Sequence, residues 1–188
     1  MPYKRKRGAQ QAGNREKGLI ALAAVAVAFS VFVIIYDRPV PQEVPTSALA
    51  ASVEDLSTDG FVEVQAAAET VNGEGVISLT GGCHRITAGT DPGQAESVKN
   101  ALDGVIGPRP NTHELMRDAF EALDIEVIMA KVTELRDSNF YGKILLRQGD
   151  TILSLDSKPS DGIALALRTD AKIYFNQTLL QEQGQKVC

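Results

Sequence analysis

Asp156-Ser157-Lys158-Pro159-Ser160-Asp161-Gly162-Ile163-Ala164-Leu165-Ala166-Leu167-Arg168 is the stretch on which the fold turns. It closes a strand over 151–156 and opens a helix. Pro159 has its backbone angle fixed at a value the first helical turn accepts, and Ser160 and Asp161 are residue types that a helix start favours through capping and the dipole. The run that follows, Ile163 to Arg168, is too apolar to lie on a surface, so this helix belongs inside.

Working upstream, two more strand patterns lead into that stretch. They cover 126–135 and 140–147, separated by the turn Arg136-Asp137-Ser138-Asn139, and a second turn, Gln148-Gly149-Asp150, precedes the strand at 151. The three form a meander. Before them a helix starts at Thr112, where Leu115, Met116, Ala119, Phe120 and Leu123 recur at three- and four-residue spacing and predict a core-facing stripe. An earlier helix has Asp91 as its cap and Pro92 at its first position, with Ala95, Val98 and Leu102 on one face and Gly104 as its stop. Earlier still, the alternating Phe61, Val62 and Val64 begin a segment that runs toward Val71. The turn Asn72-Gly73-Glu74-Gly75 and the return strand with Val76, Ile77 and Leu79 make it a hairpin. Gly81-Gly82 breaks that strand, and residues 85–87 form a short further one. Downstream, 172–175 reads as a buried strand and Asn176 caps a last turn through Leu179 and Leu180. The sum is an α+β domain: a curved mixed, largely antiparallel sheet packed with about three helices.

A chain of 188 residues with 44% hydrophobic and 23% charged residues is long enough for one ordinary core and is neither disordered nor collagen-like. Charge is segregated along it. Residues 1–18 hold six basic side chains against Glu16, a net +5, which leaves −10 for the rest of a chain whose total is −5. Residues 19–36 carry no charge, and about 18–20 such residues cross the hydrocarbon core of a bilayer. A cleavable signal peptide has a shorter apolar run and a small-residue cleavage site directly after it, whereas this run ends in Ile34-Ile35-Tyr36-Asp37-Arg38-Pro39. A transmembrane anchor is therefore expected at 19–36, ahead of a buried helix of the soluble fold or a signal peptide. The basic residues before it put residues 1–18 in the cytoplasm and the C-terminal domain, 59–188, outside the cell membrane. Pro39, Pro41 and Pro45 make 37–58 an extended linker. An outward domain permits a disulfide, but Cys188 is the last residue and Cys83 follows two glycines, so Cys83 and Cys188 are expected to stay unpaired.

Three blocks resemble the bifunctional nuclease domain family: Gly107-Pro108-Arg109-Pro110-Asn111-Thr112-His113-Glu114-Leu115, Asp137-Ser138-Asn139-Phe140-Tyr141-Gly142, and the stretch 156–168 quoted above. The similarity extends over roughly 61–185. It implies cleavage of both DNA and RNA. The chain departs from the family's pattern at Lys158, where an Arg is usual, and at Gly162, where an Ala is usual. It also departs at Ile86-Thr87-Ala88-Gly89-Thr90, which is small and polar where a hydrophobic strand is usual.

Hydrolysis of a phosphodiester needs a base or a metal to make hydroxide, positive charge at the phosphorus, and a proton for the leaving oxygen. His113 sits at a helix start, where the dipole favours the uncharged imidazole that a base requires. Asp156 and Asp161 bracket the other helix start, and with His113 they are the candidate catalytic groups. The two carboxylates are also the candidate ligands of a divalent metal, Mg or Mn. Arg109, Lys158 and the amides around Ser160 are candidate phosphate binders. Each has a structural counterpart: His113, Ser160 and Asp161 as helix caps, Asp156 as the ion-pair partner of Lys158 or Arg109. The net −10 beyond the tail limits nucleic acid to a local patch. The runner-up is a non-catalytic anion- or nucleotide-binding or assembly module of the same fold. Nucleic acid, the membrane and a second copy of the chain are the expected partners.

Overall fold

The computed structural model describes residues 51–188. The basic tail, the apolar segment 19–36 and most of the expected linker lie outside the described residues. Among the described residues no helix is long and apolar enough to cross a membrane.

The described residues begin with a single helical turn, α1 (Val53–Leu56), held by a capping box between Ser52 and Asp55. Strand β1 (Phe61–Glu63) follows, then β2 (Gln65–Val71), β3 (Glu74–Gly81) and β4 (His84–Thr90). Helices α2 (Pro92–Leu102) and α3 (Thr112–Ala122) come next, then the meander β5 (Ile125–Arg136), β6 (Asn139–Gln148) and β7 (Thr151–Ser157). The chain ends with α4 (Pro159–Arg168), β8 (Lys172–Asn176), α5 (Gln177–Gln183) and the short β9 (Gln185–Lys186).

The architecture is α+β as expected, but with two sheets where one was expected. One has the order β1-β8-β5-β6-β7 and the other β2-β3-β4-β9. Among the described residues only β5 and β8 pair in parallel. The expected segment from 61 to 71 is divided at Val64, which is buried and whose amide donates to the carbonyl of Ile173. The chain leaves one sheet there and joins the other. Gly81 permits the crossing, since a Cβ at that position would lie 2.8 Å from Val64 Cγ1.

Helix α4 lies at the centre. Gly162, Ile163, Ala164, Leu165 and Ala166 are all buried, as the apolar run required. Ile163, Ala164 and Ala166 join Val64, Ile77, Leu79, Val98, Val132 and Phe175 in a core that draws on both sheets, while Leu165 joins Val127, Ile144 and Leu146 in a second cluster.

Three local expectations are corrected. The segment 84–90 is a regular strand despite its small polar residues, because it pairs along its whole length with β3 and at its start with β9. Cys83 and Cys188 form a disulfide, brought together because β9 returns the C-terminus to the turn between β3 and β4. Helix α3 exists where predicted but is turned the other way. His113 and Glu114 are its buried residues, while Leu115, Met116 and Leu123 are 62%, 41% and 58% exposed. Residues 51–58 also dock on the domain: Lys131, itself buried, donates to the carbonyls of Asp55 and Ser57, and Lys143 pairs with the Asp55 carboxylate at 2.6 Å.

Candidate active site

The inverted burial of α3 follows from what lies beneath it. Asn111 caps the helix, its Oδ1 accepting from the Glu114 amide at 3.0 Å while the Glu114 carboxylate accepts from the Asn111 amide at 2.8 Å. Glu114 is also 3.5 Å from Arg168, and both side chains are almost wholly buried. Burial pulls the Arg168 guanidinium below its ordinary pKa, and the neighbouring Glu114 opposes that fall. Arg168 also donates to the carbonyl of Ala164 and to both the carbonyl and the hydroxyl of Ser97. Buried charges this well bonded fix one arrangement of the three helices α2, α3 and α4.

The same network decides where a proton sits on His113. Its Nδ1 lies 2.9 Å from Ser97 Oγ and its Nε2 lies 3.0 Å from Asp161 Oδ1. Ser97 Oγ already accepts from Arg168 Nη2 at 3.1 Å and from Asn111 Nδ2 at 3.3 Å. Neither donor can accept in return, and the Asn111 amide is oriented by its own Oδ1 bond. The Ser97 proton must therefore point at His113 Nδ1, so the ring carries its hydrogen on Nε2 and donates it to Asp161. His113 has no lone pair left for a substrate. The group at the open end of the chain is Asp161, whose side chain is 36% exposed.

A cleft of about 1030 Å³ opens beside this pair, lined by Arg109, His113, Asp156, Lys158 and Asp161 among others. Five of the six expected site residues thus border one cavity. Ser160 borders a neighbouring cleft of about 540 Å³, which shares the wall 156–158 and is also lined by Ile86, Thr87, Ala88, Gly89 and Thr90. The start of α4 has no side-chain cap, so neither Ser160 nor Asp161 serves as one. Asp156 pairs across the sheet with Lys143, and Leu155 with Ile144. Cross-strand partners share a face, so the Asp156 side chain stands with Lys143, away from the face where Leu155 and Ile144 meet α3 and α4. Among the described residues no three His, Cys, Asp or Glu side chains form a metal-ligand group. Asp156 and Asp161 do not join His113 in the metal set expected of them, because strand alternation turns one away and Asp161 accepts from the imidazole.

Ser97, Glu114 and Arg168 were missed by sequence reasoning. Glu114 was legible as the closing residue of an Asn-x-x-Glu capping box, and Arg168 as the charge that ends the apolar run of its helix. A single serine in helix α2 gave no signal.

Fold and site define an α+β domain whose candidate centre is a carboxylate and an imidazole joined where two helices begin. A profile of the bifunctional nuclease domain matches residues 85–187, more than half of the chain. The chain belongs to that family, although the match begins at Arg85 and leaves β1 to β3 outside it. An uncharacterised protein of Mycobacterium tuberculosis (strain CDC 1551 / Oshkosh) is 34% identical over 94 residues, covering 49% of this chain and 56% of that protein. Bifunctional nuclease 1 of Oryza sativa subsp. indica is 29% identical over 90 residues, covering 46% of this chain and 27% of that protein. A bifunctional nuclease of Oryza minuta matches to the same extent.

Proposed function

We propose that this chain is a membrane-anchored nuclease that hydrolyses phosphodiester bonds of DNA or RNA in the cleft at the start of α3 and α4. The observation that carries the reading is the Asp161 carboxylate, exposed to the cleft and held from behind by the Nε2 proton of His113. Asp161 takes a proton from the attacking water as its oxygen bonds to phosphorus. Arg109 and Lys158 neutralise the charge that builds on the phosphoryl oxygens, aided by the amide-rich ends of two helices. The bond to the leaving oxygen breaks, that oxygen takes a proton from Lys158 or solvent, and a phosphate monoester and an alcohol result. His113 positions the carboxylate and does not itself meet the substrate.

The Cys83–Cys188 bridge supports an outward domain, since disulfides persist on the oxidising side of a membrane. It agrees with the orientation read from the basic tail. The reading is tested with the full chain in detergent micelles and end-labelled single-stranded DNA and RNA, with magnesium or manganese and with a chelator. Cleavage by the unaltered chain, lost in Asp161→Asn, is the expected result. The chelator arm tests whether a metal is needed, since the described carboxylates do not gather into a ligand group. No cleavage under either condition would leave the non-catalytic module of the same fold.

A further inference from the structure

Resting on that reading of the cleft, we propose that it receives one unpaired nucleotide of a single strand, with the phosphate at the Arg109–Lys158 end and the base against an apolar wall at the other. The cleft that holds Asp161 is also lined by Met116, Phe120, Leu155 and Leu165. Phe120 and Leu155 are only partly buried and pack on the cluster that contains Leu165.

The two kinds of lining are ordered in space. His113 and Asp161 touch, so the polar ends of α3 and α4 coincide. From there α3 runs seven positions to Phe120, about 10 Å at ~1.5 Å per residue, and α4 runs one turn to Leu165. Phe120 packs on the cluster that contains Leu165, so both helices lead from the charged end of the cavity to one apolar end.

An apolar wall offers nothing to a duplex, which presents phosphates and groove edges with its bases stacked inside. It suits the π-face of a base that is free to turn out of a strand, and Phe120 supplies an aromatic partner for it. The charge pattern sets the length of strand engaged. Asp91 and Glu96 border the cleft on the α2 side and repel phosphate, leaving Arg109 and Lys158 as the cations that line it. Contact is thus confined to a short stretch rather than a long basic track.

The test uses the full chain in detergent micelles and three fluorescent DNA probes of equal length: a single strand, the same strand with abasic residues at its centre, and its duplex. Anisotropy titration should show the abasic and duplex probes binding about tenfold or more weakly than the intact strand, the scale of one lost stacking contact. Phe120→Ala should erase most of that difference. Met116→Ser, at a position already 41% exposed, should reduce it while leaving the melting temperature in place, which guards against a folding defect in the first variant. Equal binding of the three probes, or of none, overturns the proposal. Equal cleavage of strand and duplex overturns it while leaving hydrolysis intact, and base-dependent binding without cleavage does the reverse.

Discussion

Two clusters of buried charge lie on opposite faces of the five-stranded sheet, and they end differently. On the helical face, Glu114 pairs with Arg168, and hydrogen bonds run on through Ser97 and His113 to a last member, Asp161, that opens on a cleft. On the other face, Lys131 is equally buried but donates to two backbone carbonyls and lies 4.8 Å from the centre of the Phe61 ring. The first cluster has an open end; the second closes on itself. Buried charge alone therefore does not mark a site. A site needs a polar chain that reaches solvent at a group able to exchange a proton.

Four variants put that contrast to the test. Asp161→Asn keeps an oxygen to accept from His113 and removes only the basic carboxylate, so cleavage should fall by about 10²–10⁴-fold with little change in melting temperature. An active Asp161→Asn chain would show that the open end is idle. Arg168→Met strands the Glu114 carboxylate in the interior and should cost about 3–5 kcal/mol in urea unfolding; a loss under about 1 kcal/mol would mean the network is not as dry as its burial indicates. Lys131→Met fills much the same space but leaves the carbonyls of Asp55 and Ser57 without their donor. It should cost about 1–3 kcal/mol and leave cleavage unchanged, so a fall in rate at constant stability would join the two clusters.

The smallest effect belongs to Asp55, whose carboxyl is held at about 2 chiefly by the hydrogen bond from Lys143. A depressed carboxylate stabilises the folded state fully above its unfolded value of about 3.9 and loses that contribution as pH falls toward the folded value. Protection of the amides of residues 51–58 against exchange, taken relative to the unstructured chain at the same pH, should fall between about pH 4 and pH 2. Asp55→Asn should be flat across the same window.

How much was legible is best seen in two helices. Helix α4 was read correctly from Pro159 and the run Ile163 to Leu167, because a segment apolar on every side has only the interior to occupy. Helix α3 was found by its spacing and its Thr112 start, yet its facing was read largely backwards. Leu115, Met116 and Leu123 point outward, and of the expected stripe only Phe120 packs on the core, because the first turn's inward face is committed to Arg168, Ser97 and Asp161, which are distant in sequence and carry no periodic signal. Functional sites are where local pattern and final packing are expected to disagree. The disulfide escaped for a related reason, since only the pairing of β9 with β4 reveals that the last residue returns to Cys83. The side of the sheet on which Asp156 falls was likewise a matter of register, which a strand's own residues do not specify.

The bond between Cys83 and Cys188 also turns most of the domain into a covalent ring. Every residue assigned to the cleft, from α2 through α4, lies on its circumference. A protease that cuts the exposed loop 103–111, the kind of surface segment where nicking concentrates, would open the ring without releasing a fragment. The clipped chain should run as one molecule until it is reduced and then as two pieces. A domain built this way can be severed once and still keep both halves of its cleft covalently joined.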